Sequence, residues 1–477
     1  MKTKAMSRAM AVTLALAVSV AFTGCNKAEE TAETTTAAAA AVTQTEVKYL
    51  TADDITVNET KENSADGEHA ITADAETATY KDLAVQKTGE ASGDEADFYG
   101  SNAAIFATNK ATLNLDDILV QTNGTHANGV FSYGEGTTVN ISNSVIETTG
   151  NCSGGLMTTG GGTMNAKNLT IHTTGNSSAA IRSDRGGGTV TVTNGSYTTD
   201  GTGSPVIYST ADITVNDAKL VSTASQGVVV EGKNSVTLNN VNLTADNTTK
   251  NSDKSDYYQA VMIYQSMSGD ADDGTSKFTM EGGKLVNKNG DIFFVNNTKT
   301  VINLTQAKIV NKDEDGIFLR ACAAGWGSEG SNGGQVTLNA DAQTINGDMI
   351  VDEVSTLNLL MTNKSAFTGA INSDGAEGDV YVELKDGSTW TLTGDSYITS
   401  LTCDADSINL NGHKLYVNGK EYKSGTASTG DQVEAKAVSS QNGGGQMGGG
   451  TPPEKPGEGG NGGPGGNGGT PPAKPGN

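Results

Sequence analysis

Four residue types are scarce in this sequence, and each scarcity limits the folds it can adopt. The 477 residues include four cysteines, eight prolines and four arginines, and aromatic residues make up 5% of the chain. So few cysteines exclude a disulfide framework as the main source of stability. Seven of the eight prolines follow residue 442, so the preceding chain is free to form long hydrogen-bonded ladders.

Long apolar runs are also absent, apart from a short one near the N-terminus. Residues 11–22 (AVTLALAVSVAF) follow three basic residues and are too few to span a membrane, which is typical of a signal peptide. The run ends in FTGC, which resembles a bacterial lipobox whose Cys25 takes the lipid. We therefore expect residues 1–24 to be a lipoprotein signal peptide and residues 25–50 a flexible tether. An ordinary secretory signal is the alternative.

Positive charge is scarce relative to negative charge. The net charge is −24, and removal of residues 1–24 leaves 28 basic and 55 acidic residues, a net charge of −27. Nucleic acids and anionic membrane surfaces are poor partners for such a chain. We expect membrane contact only through the lipid anchor, a location outside the cytoplasm at the cell surface, and a monomer.

A repeat of about 25 residues occupies the chain between residues 100 and 320. Each repeat begins with a small residue and an apolar residue, followed by two more short runs in which apolar and polar residues alternate. Their leading apolar residues, at spacings of 25, 26, 25, 25, 22, 33, 31 and 25, are Ile105, Val130, Leu156, Ile181, Val206, Val228, Val261, Ile292 and Ile317. Alternation predicts strands, and a fixed period predicts a solenoid. The sequence therefore predicts an all-β, right-handed, three-stranded parallel β-helix.

A second register supports this fold. Asp or Asn recurs at spacings of 26, 25, 26, 23 and 23, at Asp117, Asn143, Asn168, Asn194, Asp217 and Asn240. Both residue types tolerate the left-handed conformation of a sharp bend, and stacked amides can hydrogen-bond from coil to coil. The pattern resembles the asparagine ladder of pectate-lyase-like β-helix proteins. Residues 379–419 resemble the closing coils of autotransporter-type passengers, which implies a C-terminal β cap.

The predicted domain organisation follows from these patterns. Residues 51–441 form the β-helix with its cap, and the Gly- and Pro-rich residues 442–477 form a disordered tail. The lipobox, the acidic β-helix and the tail together resemble clostridial surface lipoproteins with carbohydrate-binding β-helices. That resemblance implies binding of plant-type or acidic polysaccharide, with bound Ca²⁺.

Loop lengths indicate where a ligand would bind. The longest insertions, residues 91–101, 248–258, 266–274 and 321–334, all flank the first strand of a coil. If the leading apolar residues point inward, their successors form an outward stripe on that strand. The stripe would consist of Phe106, Phe131, Met157, Arg182, Ile207, Val229, Met262, Phe293 and Phe318. A platform for sugar rings and a surface covered by loops are both consistent with such a stripe.

Candidate ligand-binding residues lie on this stripe and in its loops. We predict glycan contacts from Trp326, Tyr257, Tyr258, Tyr264, Phe293, Phe318 and Arg320. The acidic loop GDADDG (269–274) offers Asp270, Asp272 and Asp273 as a Ca²⁺ set, but it matches only half of an EF-hand-like loop, and a solvated acidic turn is the favoured alternative.

No catalytic residue is predicted. A polysaccharide lyase would need a basic residue such as Arg182, Arg185 or Arg320 beside Ca²⁺, and a hydrolase would need paired acids such as Asp184 and Glu231. The GHG and RIK signatures of polygalacturonase-like hydrolases are absent. The leading prediction is a non-catalytic surface lipoprotein that binds extracellular polysaccharide. The alternatives are an adhesin-like or structural surface protein and, less favoured, a polysaccharide lyase or hydrolase.

Overall fold

The structure, a computed structural model, describes residues 49–440 except 94, 251 and 376. The expected signal peptide, Cys25, nearly all of the tether and the tail lie outside the described residues. The two last tether residues are described, and Leu50 is buried, with its backbone N–H donating to Thr170 Oγ1 at 3.0 Å. The packed body therefore includes Leu50, one residue before the predicted boundary.

Almost all regular structure in the described residues is β-strand. A 3₁₀ turn covers Ala52–Asp54 and one short helix, α1, covers Glu95–Tyr99. No helix of the described part is long and apolar enough to cross a membrane. In chain order the first strands are β1 (Glu59–Asn63), β2 (Ile71–Asp74), β3 (Thr77–Lys87), β4 (Ile105–Thr108), β5 (Thr112–Thr122), β6 (Val130–Tyr133), β7 (Thr138–Ser142), β8 (Val145–Thr148), β9 (Leu156–Thr159), β10 (Gly162–Thr173), β11 (Ile181–Ser183) and β12 (Gly188–Thr199). The middle strands are β13 (Ile207–Ser209), β14 (Asp212–Asn216), β15 (Lys219–Ser222), β16 (Val228–Glu231), β17 (Ser235–Asn239), β18 (Asn242–Ala245), β19 (Gln259–Tyr264), β20 (Thr275–Glu281), β21 (Lys284–Asn287), β22 (Asp291–Asn296), β23 (Thr298–Thr305), β24 (Lys308–Asn311) and β25 (Leu319–Ala321). The last strands are β26 (Gly334–Asp341), β27 (Thr344–Asn346), β28 (Met349–Val351), β29 (Thr356–Thr362), β30 (Ala366–Thr368), β31 (Asp379–Leu384), β32 (Thr389–Thr391), β33 (Ser396–Ile398), β34 (Ser400–Cys403), β35 (Ile408–Asn409), β36 (Leu415–Val417) and β37 (Lys420–Glu421).

These strands build a parallel β-helix, as the repeat predicts. The first strand of each coil joins an 11-stranded parallel sheet in the order β2-β4-β6-β9-β11-β13-β16-β19-β22-β25-β28, here called the first sheet. The second and third strands of most coils form a 19-stranded sheet, and the third strands of the last coils form a separate four-stranded one. Among the described strands, the β36–β37 pair is antiparallel and the other pairings are parallel.

The bend between the second and third strands has the predicted chemistry. Asn143, Asn168 and Asn240 adopt φ values of 49°, 57° and 54°, in the left-handed region that Asn tolerates. Asn168 Nδ2 donates to Asn143 Oδ1 at 2.8 Å, and Asn240 Nδ2 donates to Asp217 Oδ1 at 2.7 Å. The ladder is therefore present as side-chain hydrogen bonds between coils.

The inward register of the first sheet differs from the prediction in three coils. Ile181 pairs with Ile207, Val261 pairs with Phe293, and Phe293 pairs with Leu319. In these coils Val206, Ile292 and Phe318 occupy the position that holds a small residue, such as Ala104 or Ala180, elsewhere. The prediction places the first apolar residue of each of these coils inward, and the predicted register is therefore wrong by one or two residues.

The C-terminal end of the solenoid is closed by the β36–β37 hairpin and by residues 429–440, here called the strap. The strap runs back over successive coils: Gly430 N donates to Thr402 Oγ1 at 3.0 Å, and Val433 N donates to Asn358 Oδ1 at 3.0 Å. Lys436 N then donates to Gln335 Oε1 at 2.8 Å, and Ser439 Oγ donates to Ser331 O at 3.0 Å. The strap thus ties the last coils together without forming a strand.

Candidate functional site

An apolar stripe runs along the outer face of the first sheet. In register from coil to coil its members are Phe106, Phe131, Met157, Arg182, Tyr208, Val229, Met262, Phe294 and Arg320. Because alternate residues of a strand share a face, this stripe lies opposite the inward residues Ile105 to Leu319. The sequence predicts this stripe, but in three coils the strand pairing replaces the predicted residue by another.

Phe293 and Phe318 are therefore wrong as glycan-contact residues. Both are essentially inaccessible in the main core, where Phe293 packs edge-on against Phe318 with ring centres 5.6 Å apart. Their burial follows from the register shift, because Phe294 takes the outward position that was assigned to Phe293. The sequence FF (293–294) left this choice open, and only pairing with Val261 and Met262 resolves it.

The insertion at residues 91–101 covers the stripe over the early coils. Tyr99 packs edge-on against Tyr133, with ring centres 5.8 Å apart. A Cβ on Gly100 would lie 2.8 Å from the Phe131 ring, so this glycine lets the backbone approach the stripe closely. Phe131 and Met157 are fully buried as a result. The 91–101 insertion thus covers Phe131 and Met157, while Phe106 stays partly exposed.

Over the later coils the stripe opens into an aromatic cleft of ≈ 340 Å³. The side chains that line it include Tyr208, Tyr257, Tyr258, Tyr264, Trp326 and Met262. Strand β19 supplies Tyr264, the loop before it supplies Tyr257 and Tyr258, and the loop after β25 supplies Trp326. The structure therefore brings together four of the predicted aromatic residues.

The aromatic rings are held by specific contacts. Trp326 packs edge-on against Tyr264 with ring centres 5.1 Å apart. Tyr257 remains 40% exposed, and its ring lies under the guanidinium group of Arg320 at 3.9 Å. The Lys250 ammonium lies 5.5 Å from the centre of the Tyr258 ring. These contacts fix aromatic faces at the cleft wall while leaving part of Tyr257 open to a ligand.

Glu231 is buried and binds two tyrosines that line this cleft. It lies beside Tyr264 in the β16–β19 register and accepts hydrogen bonds from the hydroxyls of Tyr208, Tyr264 (3.1 Å) and Ser266. Burial raises the pKa of Glu231 above its ordinary value, although the three hydroxyl hydrogen bonds oppose the shift. Burial and the Glu231 charge raise the pKa values of Tyr208 and Tyr264 well above 10.0. The carboxyl group orients two tyrosines at once.

A second, polar cleft of ≈ 500 Å³ continues the aromatic one towards the early coils. The two clefts share Gly203, Pro205, Tyr208 and Tyr264 as lining residues, so they form one groove. The charged side chains of the polar cleft are Asp97, Arg182, Asp184, Arg185 and Asp270. One end of the groove is therefore aromatic and the other is charged.

Arg182 is shared by two buried carboxylates in the polar cleft. Its Nη2 lies 2.8 Å from Asp184 Oδ2 and 3.4 Å from Asp97 Oδ2. Burial raises the pKa of Asp184 to about 6, against the attraction of Arg182. Burial acts in the same direction on Asp97, but Arg182 and His126 outweigh it and leave the pKa of Asp97 below its ordinary value. Arg182 consequently stays protonated, because both acids raise its pKa.

The three aspartates predicted to bind Ca²⁺ have separate partners. Asp270 Oδ1 accepts from Arg185 Nε at 2.6 Å, Asp272 Oδ2 lies 2.7 Å from Lys233 Nζ, and Asp273 Oδ1 accepts from Gln265 Nε2 at 3.1 Å. Among the described residues these carboxylates do not converge within the distance that a shared ion requires. The geometry thus gives no support to this loop as a Ca²⁺ site.

Arg320 lies at the edge of the groove as an ion-paired residue. Its Nε donates to Asp291 Oδ2 at 2.6 Å, and both side chains are largely buried. Burial raises the pKa of Asp291 despite this pairing. Arg320 therefore supports Tyr257 rather than presenting a free cation to a ligand.

Sequence reasoning missed Tyr208, which lines both clefts, and Phe294, which packs behind the aromatic rings, because the register shift displaced both. It placed Glu231 on the outward face and considered it as a possible acid, but did not predict its bonds to the tyrosines. No small residue precedes the inward residues Ile207 and Phe293, so the pattern of the other coils does not identify Tyr208 and Phe294 as outward. The repeat places Glu231 and Tyr264 at equivalent positions of adjacent coils, but it does not predict that Tyr208 also binds Glu231.

Comparisons with known proteins give one distant similarity. No protein-family model matches the chain, and no curated protein matches it. A solved structure described as "The cryo-EM structure of the Vag8-C1 inhibitor complex" contains a chain that aligns at 14% identity and a TM-score of 0.43. The alignment covers 76% of this chain and 100% of the other.

Proposed function

We propose that this protein is a non-catalytic, adhesin-like surface protein that binds an extended polysaccharide in the groove of the first sheet. The observation that carries the proposal is the convergence of Tyr257, Tyr258, Tyr264 and Trp326 on one aromatic cleft. Aromatic faces suit the apolar C–H faces of sugar rings, and the groove continues across several coils.

Polar and cationic groups complement the aromatic rings. Asn247, Gln226 and Gln259 line the cleft beside Lys250 and Lys254. Amides can pair with sugar hydroxyls, and the two ammonium groups offset the acidic character of the chain where an acidic glycan would lie. Both neutral and acidic polysaccharides are therefore included in the proposal.

Anchoring at the cell surface is the second part of the proposal. It rests on the FTGC sequence and the polar residues after it. Cys25→Ala should release the protein into the medium or leave it unprocessed, so that it no longer partitions into the detergent phase. Unchanged detergent partitioning of this variant would contradict lipid anchoring.

The binding test uses the full chain with neutral mixed-linkage β-glucan and acidic polygalacturonate in affinity electrophoresis. Trp326→Ala and Tyr258→Ala should each weaken binding about tenfold or more, because loss of a packed aromatic contact costs roughly 1.4 kcal/mol or more. The matched control is Tyr397→Ala, since Tyr397 stacks on Tyr416 at 4.8 Å in the cap sheet, outside the groove. Equal binding by parent and both groove variants would overturn the groove assignment.

A protein ligand is the second candidate, because Trp326, Tyr257 and Arg320 are of the residue types that dominate protein–protein hot spots. Absence of binding to any glycan, together with Trp326-dependent adhesion to a protein-coated surface, would favour it. New reducing ends or unsaturated uronide absorbance during incubation would instead indicate an enzyme.

A further inference from the structure

Three potential metal ligands meet at the early end of the groove. Asp97, His126 and Cys152 each offer one ligand atom, and these atoms lie within 4.8 Å of one another. Asp97 and His126 are buried and Cys152 is partly exposed. Among the described residues, no other three His, Cys, Asp or Glu side chains bring their ligand atoms this close together.

The solenoid itself juxtaposes His126 and Cys152. They occupy the same corner of consecutive coils, with φ values of 56° and 54°, and Ser177 follows on the next coil with φ 54°. The backbone N–H of His126 donates to the backbone carbonyl of Asn151 at 2.9 Å, and the backbone N–H of Cys152 donates to that of Asn176 at 2.8 Å. Left-handed backbone is uncommon for residues other than Gly, Asn, Asp and His, so its repetition at Cys152 and Ser177 shows that the solenoid imposes this corner on successive coils.

Asp97 comes from helix α1 of the 91–101 insertion, which is fixed to the same end of the groove. Its Oδ1 lies 2.9 Å from His126 Nδ1, and its Oδ2 lies 3.4 Å from Arg182. The neighbouring Phe98 stacks under the Arg185 guanidinium at 3.6 Å, and its carbonyl accepts from Thr159 Oγ1 at 2.7 Å. Three ligand groups from separate segments are thus held in place before any ion binds.

We infer that Asp97, His126 and Cys152 form a Zn²⁺-type metal site at the early end of the groove. Carboxylate, imidazole and thiolate are the ligands of Zn²⁺ and related borderline metals, whereas Ca²⁺ and Mg²⁺ prefer oxygen alone. Ligand atoms on a tetrahedral Zn²⁺ are separated by roughly 3.3 to 3.8 Å, so small side-chain rotations complete the site. Binding releases the thiol proton of Cys152 and replaces the direct contact of Asp97 with His126.

The site has an entry path and a free coordination position. Asp97 also lines the polar cleft, so an ion there faces the groove, and Cys152 is reached from solvent. Three protein ligands leave the fourth position of a tetrahedral metal for water or a groove ligand. The inference does not depend on glycan binding, because it concerns side chains outside the aromatic cleft.

The test is a Co²⁺ titration of the full chain carrying Cys25→Ala, prepared metal-free under reducing conditions. We expect one bound Co²⁺ and a near-ultraviolet thiolate-to-cobalt charge-transfer band. Added Zn²⁺ should displace the Co²⁺, and the band should then disappear. Cys152→Ser should abolish the band and weaken Co²⁺ binding at least about 100-fold. Loss of a residue that only hydrogen-bonds to a metal ligand already costs roughly 10–100-fold in metal affinity, and Cys152 is itself a ligand. His126→Ala and Asp97→Asn should weaken binding comparably.

Cys322→Ser is the matched control, since Cys322 is a buried cysteine of the aromatic cluster near Trp326 and should leave the band unchanged. Far-ultraviolet circular dichroism of each metal-free variant confirms the fold. Absence of the band in the parent, or equal Co²⁺ affinity of the parent and Cys152→Ser, overturns the inference.

Discussion

The guanidinium carbon of Arg320 lies 3.9 Å from the centre of the Tyr257 ring, while Nε of the same side chain donates to Asp291 at 2.6 Å. Asp291 also accepts from the Ile317 N–H at 2.9 Å and is 3% exposed. One arginine therefore connects a buried carboxylate with an exposed aromatic ring of the cleft. Its removal should affect both stability and ligand binding.

We expect Arg320→Met to lower the free energy of unfolding by about 3 kcal/mol, because it leaves the Asp291 carboxylate buried and unpaired. Urea unfolding followed by circular dichroism measures the change. Asp291→Asn in the Arg320→Met background should recover much of the loss, since it removes the unpaired charge. A single variant as stable as the parent would contradict a supporting role for this pair.

The asparagine ladder gives a second prediction, in which two substitutions separate two causes. Asn168→Gly keeps the left-handed backbone but loses the bond to Asn143, and should cost about 1 kcal/mol. Asn168→Leu adds the steric cost of the left-handed conformation and should cost about 2 kcal/mol. Thermal unfolding of the two variants checks the order. Equal stability of both would show that backbone conformation at this corner contributes little.

Asp184 gives a pH prediction whose sign is fixed by its raised pKa. Because burial raises the folded-state pKa of Asp184 to about 6, the folded protein holds this proton more tightly than the unfolded chain does. Its contribution to stability is present in full below about pH 4 and is lost as the pH rises to about 6. Asp184→Asn should therefore flatten the stability profile between these values relative to the parent. Parallel profiles would contradict the raised pKa.

Calcium dependence is the fourth prediction. Since Asp270, Asp272 and Asp273 pair separately with Arg185, Lys233 and Gln265, we expect added Ca²⁺ to leave the melting temperature unchanged. Asp270→Asn should cost at most about 1 kcal/mol, as expected for a partly exposed ion pair. The melting temperature with and without added Ca²⁺ tests this. A rise of several degrees with Ca²⁺ that disappears in Asp272→Asn would restore the loop as a Ca²⁺ site.

The sequence predicts the architecture because periodic features repeat their signal. The Asn and Asp bends and the alternation of apolar residues recur in coil after coil, so a single ambiguous residue does not obscure them. The phase within one coil has no such redundancy. Where Val206, Ile292 and Phe318 replace a small corner residue, two adjacent apolar side chains compete for the inward position, and neighbouring strands decide between them.

The sequence predicts where the site lies, but it does not predict which side chains contact one another within it. Long loops beside one sheet indicated where Trp326, Tyr257 and Tyr258 would meet. The contacts of Glu231 with Tyr208 and Ser266 join residues 23 and 35 positions apart, and the meeting of Asp97 with Arg182 spans 85 positions. The Asp97–Arg182 and Glu231–Ser266 pairs depend on how the insertions fold over the sheet, and the Glu231–Tyr208 pair depends on the register of β13 against β16. No local pattern encodes either.

The strap has a mechanical consequence for a surface protein under load. In an unlatched solenoid, tension applied at the C-terminal end peels coils away one at a time, because each coil contacts only its neighbours. Here Ser439 is bonded to the 322–333 loop, and the chain between Gly430 and Lys436 is bonded to β26 in the same coil and to β29 and β34 in two later coils. Tension applied beyond residue 440 would therefore act first on the bonds of Ser439 to Ser331 and Ser328. The strap opposes removal of the last coils one at a time, because it links several of them to the same segment of chain.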